Sequence, residues 1–593
     1  MAEEEKKFCQ NCQQEFTIEP EDFEFYRRID VPPPMFCWQC RMQRRLAIRN
    51  ERSLYKRACG LCKKDTISVY SPGKDLNVYC QDCYKSDAWD PFSYGRDYDL
   101  SKSLFEQIDR LFREVPRPAL NLTNAVNCTY SEDCVNSKNC YLVFGAYHAD
   151  NIMYSYTPIF SRNSVDVTFT NQVEMSYEVS NSFGLYNVRF AHVADECMDS
   201  AFLYDCKGSK NCFGCVNLRN KNYYIFNKPY SKNDYQEEIK KWDIGSYTTL
   251  QRAKQEFQYL LDKTPRRWAI TANSVDVSGN NINHAKNCHY CFSVTEGCEN
   301  LKFTVMSGLA MKDSYDVWGG GDKSQLLYEV TGCIGGERVM FTNNTHGCVN
   351  VQYSNKCFHS QNLFGCAGIK KKNYCILNKP YSKSEYHALL PRIIESAKNN
   401  PFIDRAGREY RYGEFFPMEH MPVAYNESNA YERFPLTKQE AEEKGFSWHS
   451  EPERNYTITM QTGSLPDHIK DAPDSITNEV IACEHAGSCQ EHCTTAFKIT
   501  PSELDFYRQI NIALPRLCPN CRHGQRDKRR NGMFELHDRT CQCAGERSEN
   551  GLYQNEMKHF HGTEHCPNSF KSAFAPERKE IMYCEKCYQA ELI

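Results

Sequence analysis

Two segments at opposite ends of this sequence are copies of one another, and both are built on paired cysteines. Near the start, Cys9 and Cys12 precede TIEPEDFEFYRRIDVPPPMF, then Cys37 and Cys40, with Gln43-Arg44 close behind. Near the end, Cys489 and Cys493 precede KITPSELDFYRQINIALPRL, then Cys518 and Cys521, followed by Gln525-Arg526. Two cysteines at knuckle spacing, a spacer and two more is the pattern by which a chain encloses zinc in a tetrahedral thiolate cage. A second module follows each copy. Cys59, Cys62, Cys80 and Cys83 form the earlier one; Cys566, Cys584 and Cys587 belong to the later. In the later module Thr563 stands opposite Cys59 and cannot ligate. Cys541 is expected to supply the fourth ligand, with Cys543 or one of His559, His561 and His565 as alternatives. The pattern predicts about four structural zinc ions per chain, one for each ribbon.

Between the knuckles of the first module, Glu19-Pro20-Glu21-Asp22 starts a short helix, because Pro suits the first helical position and acids suit the positive end of the dipole. Thr500 and Glu503 form a capping box in the later copy. In the second ribbon, ISVYSPGKDLNVY reads as a hairpin turning at Ser71-Pro72-Gly73. With 33 cysteines, many in C-x-x-C pairs, the chain fits a reducing cytoplasm better than a disulfide framework. Its first residues do not read as a signal peptide. No run of about 18 apolar residues suggests a membrane span.

A second duplication fills the middle. NCFGCVNLRNKNYYIFNKPYSKNDY returns about 150 residues later as NLFGCAGIKKKNYCILNKPYSKSEY. Asn127, Asn139, Asn151 and Asn163 mark a short repeat within the first copy. Small Asn- and Cys-rich β segments at such a period predict a β-solenoid, with Cys206, Cys212 and Cys215 as small core residues rather than further knuckles. Each copy ends in a capping box, Ser231 to Asp234 and Ser382 to Glu385, that starts a helix closing the open edge. The fold class expected is mainly β with short helices: duplicated zinc ribbons at both termini flanking a duplicated, β-helix-like centre. The predicted order is ribbons at 1–50 and 51–90, a helical linker at 91–119, and solenoid halves at 120–230 and 269–381. Helices follow the halves at 231–268 and 382–400, then a polar connector at 401–480 and ribbons at 481–535 and 536–593.

The ribbon sequence, the FGCVNLRNKNYYIFNKPYS segment and the closing YCEKCYQ together resemble a family of uncharacterised zinc-ribbon, Cys-rich repeat proteins of uncultured small-genome bacteria. The resemblance runs over nearly the whole chain and implies no established activity. Some relatives carry an acyl-CoA-transferase label that no residue here supports.

Three functions compete. A zinc-binding scaffold or protein-interaction protein, with rigid ribbons and a solenoid side face for a protein partner, suits a net charge of −4 and abundant Tyr and Asn. A nucleic-acid-binding protein is the alternative: seven basic residues against one acid lie between Arg41 and Arg57, so Arg44, Arg45 and Arg49 are candidate phosphate contacts. The same arginines would also offset the charge of a tetrathiolate site. An enzyme is least supported. Asp166, Asp195, Asp199 and Asp205 are available, but no spacing makes them converge, and no nucleotide loop or hydrolase elbow is present.

Overall fold

The computed structural model describes residues 4–450, 456–530 and 534–592. The chain is mainly β, with short helices. It divides into two compact units, neither of them a continuous stretch. Met1–Leu120 packs with Ala269–Glu451, and Asn121–Trp268 packs with Pro452–Ile593. Each pair of cysteine modules therefore shares a unit with the repeat copy that is farther away in the sequence.

The repeat copies are sheets of parallel strands, each ending in one short antiparallel pair. In the second unit a ten-stranded sheet runs from Lys138–Tyr141 to Lys228–Pro229. Its register advances by twelve residues at each strand: Lys138 faces Asp150, Asp150 faces Arg162, and Val165 faces Tyr177. The first unit holds a twelve-stranded sheet with a less regular step: Tyr315 faces Tyr328, which faces Met340.

A period of three lies inside the period of twelve. Residues Asn124, Asn127, Tyr130, Asp133, Asn136 and Asn139 all have left-handed φ, and the pattern continues through the sheet. Asn and Asp tolerate that conformation because their short polar side chains bond locally, which accounts for the Asn-rich sequence. Phe169, Val193 and Phe202 adopt it as well, at a cost of about 1–2 kcal/mol each. Residues that follow left-handed positions point inward and are small or aliphatic: Val167, Val173, Val179, Ala191, Leu203, Cys206 and Cys215 are all buried.

Inside this narrow core, side chains supply hydrogen bonds as well as bulk. The hydroxyl of Ser176 donates to the Glu174 carbonyl and accepts from the N–H of Val188, one step along. Cys206 Sγ donates to the carbonyls of Tyr204 and Cys215. Outside, asparagines stack in amide ladders, Asn127 to Asn139 and Asn151 to Asn163.

The shared Asn-Lys-Pro-Tyr ends each sheet. The Asn227 amide bonds both the N–H and the carbonyl of Val216 at 2.9 Å, and Asn378 does the same to Ala367 at 2.8 and 2.9 Å. One side chain thus stands in for the next strand and leaves those edge groups satisfied. Ser231 and Ser382 then cap helices beginning at Lys232 and Lys383, as their spacing predicts.

Two expectations change. The second ribbon's hairpin pairs Tyr55–Ala58 with Asp65–Ser68, so it turns at Cys59–Cys62 rather than at Ser71-Pro72-Gly73. Val78–Tyr79 instead pairs in parallel with Arg117–Pro118. The polar connector also packs: Tyr410, Tyr412, Phe415, Phe416, Val423 and Tyr425 are buried, as is Asn426. Its charged residues lie between aromatics that the polar average conceals.

Candidate metal centres

Four groups of four cysteine thiols come together, with the sulfurs of each group within 4.8 Å of one another: Cys9, Cys12, Cys37, Cys40; Cys59, Cys62, Cys80, Cys83; Cys483, Cys493, Cys518, Cys521; and Cys541, Cys566, Cys584, Cys587. One local design produces all four. A two-stranded hairpin delivers the first two cysteines, and a short helix delivers the second two.

The hairpin is closed by the same bond each time. The N–H of the first cysteine donates to the carbonyl two residues beyond the second: Cys9 to Gln14, Cys59 to Lys64, Cys483 to Thr495 and Cys541 to Asn568, at 2.8 to 2.9 Å. The third cysteine is the N-cap of the helix in every module, namely Cys37, Cys80, Cys518 and Cys584. A thiolate there faces the positive end of the helix dipole. In three modules its N–H also donates to the first sulfur: Cys80 to Cys59 at 3.3 Å, and Cys518 to Cys483 and Cys584 to Cys541 at 3.2 Å. Burial works against a charged Cys59, yet the N–H groups of Cys80, Cys62 and Leu61 bring its pKa down to about 6.

This geometry sorts the ligands expected from sequence. Cys541 takes the first position of the fourth module, with residues 542–565 inserted where the second module has two residues. In the third module the first position belongs to Cys483, not to Cys489. Cys483 directly follows the strand Ile481–Ala482, as Cys9 follows Glu5–Phe8. Cys489 lies in the enlarged loop with its sulfur 3.5 Å from Cys521. Matching by knuckle spacing selects Cys489; only the strand register reveals Cys483.

The arginines after the knuckles are buried. Arg44 has no exposed side-chain surface and Arg45 has 1%. Arg41 binds Asp316 through two nitrogens at 3.0 and 2.8 Å. Arg44 reaches Glu329 and Glu414, both at 2.9 Å, and Arg45 reaches Asp316 and Glu329 at 2.9 and 2.7 Å. Arg49 pairs with Glu51 at 2.9 Å and is 10% exposed. None of the three presents its charge to a phosphate, because carboxylates of the same unit already take it.

The second unit repeats the arrangement. Arg522 and Arg526 bind Asp166 at 2.7 and 2.8 Å, and Arg526 also meets Glu178. The remaining acids singled out in the sequence are engaged too: Asp195 with Lys207, Asp199 with Asn187, and Asp205 with Arg219 and Tyr588. The arginine networks, by contrast, fasten the helix of one cysteine module in each unit to its sheet. No signal in the sequence paired them, since the partners lie hundreds of positions apart.

No family model and no curated protein matches the chain. A solved structure of a suggested acetyltransferase from Desulfovibrio desulfuricans G20 covers 51% of this chain and 78% of its own length, at 9% identity and a TM-score of 0.10. A likeness that slight carries no argument about fold or activity. Among the described residues, no helix is long and apolar enough to cross a membrane.

Proposed function

We propose that this chain is a zinc-dependent scaffold for a protein partner, in which four structural zinc ribbons hold two β-solenoid bodies. Support for zinc comes from the donor set: four thiolates in a tetrahedral group suit zinc, and a cage closed by four protein ligands is of the structural type. The twelve-residue parallel step with four left-handed residues supports one square coil per step, whose inner triplet positions form the core. In this reading the coils offer an outward face with repeated asparagine and aromatic side chains, among them Tyr147 and Phe160, which are half exposed.

One observation favours the scaffold over a nucleic-acid binder: the basic segment that would meet phosphates is consumed by buried ion pairs. The test uses the purified full chain. Elemental analysis is expected to return four or more zinc ions per chain, and filter binding at physiological salt is expected to show no retention of RNA or DNA. Submicromolar nucleic-acid binding would overturn the scaffold reading. One zinc ion or none, in protein prepared without chelator, would overturn the ribbons.

A further inference from the structure

The inserted segment of the fourth module brings a second set of donors against the first. Cys543, His559, His561 and Cys587 also lie with their ligand atoms within 4.8 Å of one another, and Cys587 belongs to both groups. The two histidines are oriented as ligands. His559 Nε2 is held by the Glu591 carboxylate at 3.0 Å, and its side chain is completely buried. Its other nitrogen, Nδ1, is buried and has no hydrogen-bond partner. His561 Nδ1 lies 2.7 Å from the Glu564 carbonyl, which leaves Nε2 facing Cys587 Sγ at 3.3 Å. An imidazole fixed through one nitrogen to a carboxylate or carbonyl, with the other free, is how proteins orient histidine toward a metal.

The thiol partner is prepared in the same way. Cys543 is buried, and the Asn555 amide donates to its sulfur at 3.3 Å. Asn555 is in turn fixed by the Tyr583 hydroxyl at 2.7 Å. An orphaned, fully buried imidazole nitrogen costs stability unless something binds it. The neighbouring ribbon site offers no remedy, because its four thiols are already a full set.

We propose that the fourth module is binuclear: a second divalent, zinc-like ion sits on Cys543, His559 and His561, and the Cys587 thiolate bridges it to the ribbon's ion. Two such ions on five thiolates and two neutral imidazoles leave one net negative charge, against two for a single ion on four thiolates. The bridge therefore relieves the charge that the buried module would otherwise carry. The Cys-x-Cys of Cys541 and Cys543 serves both sites, one cysteine each. The inference rests on the metal reading of the ribbons, so the experiment must separate the two.

Native mass spectrometry of the intact chain counts the metals, and cadmium-substituted protein examined by NMR identifies the bridge. Five ions per chain are expected, with the Cys587 β-protons coupled to two cadmium resonances. The double substitution Cys543→Ser, His559→Gln is expected to remove one ion and one of those couplings. Four ions, with Cys587 coupled to a single cadmium, would overturn the second site and leave the ribbons standing. One ion or none would overturn both. Should the double variant fail to fold, the couplings in the unaltered chain decide alone.

Discussion

At the scale of single residues, the third module turns on which cysteine follows the strand. Cys483→Ser is expected to lower the metal content by one ion per chain, whereas Cys489→Ser leaves it unchanged, as counted by native mass spectrometry. Among the arginines the relevant alignment runs through the cysteines. Arg45 and Arg526 occupy equivalent places against Asp316 and Asp166, although the Gln-Arg dipeptides pair Arg44 with Arg526. Removing Arg45 leaves Asp316 to Arg41 and Glu329 to Arg44, with one buried negative charge uncompensated, so Arg45→Met should cost about 3–5 kcal/mol. Hydrogen exchange should show the loss in the first unit and not in the second. His192 gives a pH prediction. It is buried with its Nδ1 2.9 Å from Ser180 Oγ, and burial, with Arg529, Arg530 and Arg266 nearby, depresses its pKa to about 3. A base depressed on folding contributes its full stability above its ordinary pKa of 6.5 and loses it as pH falls from there toward 3. The ring should stay neutral by NMR down to about pH 3, with His192→Gln identifying the resonance. A ring that charges near 6.5 would contradict its burial.

At the scale of elements, the sheets depend on left-handed corners and sealed ends. Asn151 has φ of 53° and sits in an amide ladder with Asn163. Asn151→Val is expected to cost about 1–2 kcal/mol for the left-handed backbone alone, and Asn151→Gly much less. Asn378 is fully buried and replaces a whole strand's worth of bonding at Ala367. Asn378→Ala leaves both backbone groups unpaired and should cost about 1–3 kcal/mol for each; the check is faster amide exchange at Ala367 with wild-type metal content. The sequence made the repeat legible through the asparagine series, because only residues that tolerate the left-handed backbone can recur there cheaply. It did not reveal the three-residue rhythm, since valine, phenylalanine and tyrosine fill many of the same positions and blur the signal.

At the scale of the whole molecule, the decisive fact is that each unit is assembled from distant segments. The cysteine modules of residues 1–120 share a unit with residues 269–451, and not with the repeat copy that follows them. A chain that joins 1–120 by a flexible linker to 269–450 should therefore fold and hold its share of the metal. The contiguous fragment 1–268 is expected to be insoluble, because it combines cysteine modules and a sheet that belong to different units. Solubility and metal content of the two chains test this directly, and a well-folded 1–268 fragment would refute it.

By itself the sequence determined what local chemistry can write: the knuckles, the helix caps, the duplication, and the asparagine and cysteine positions of the repeat. Spacing along the chain reports such features because hairpins, caps and thiol pairs are made by near neighbours. Tertiary structure decided the rest. It selected Cys483 over Cys489, because a strand register set by the partner strand fixes where the first thiol sits. It turned the arginines from candidate phosphate contacts into buried anchors, because their carboxylate partners arrive from hundreds of residues away. It also brought Cys543, His559 and His561 to Cys587, since a loop's conformation is settled by the surface on which it closes.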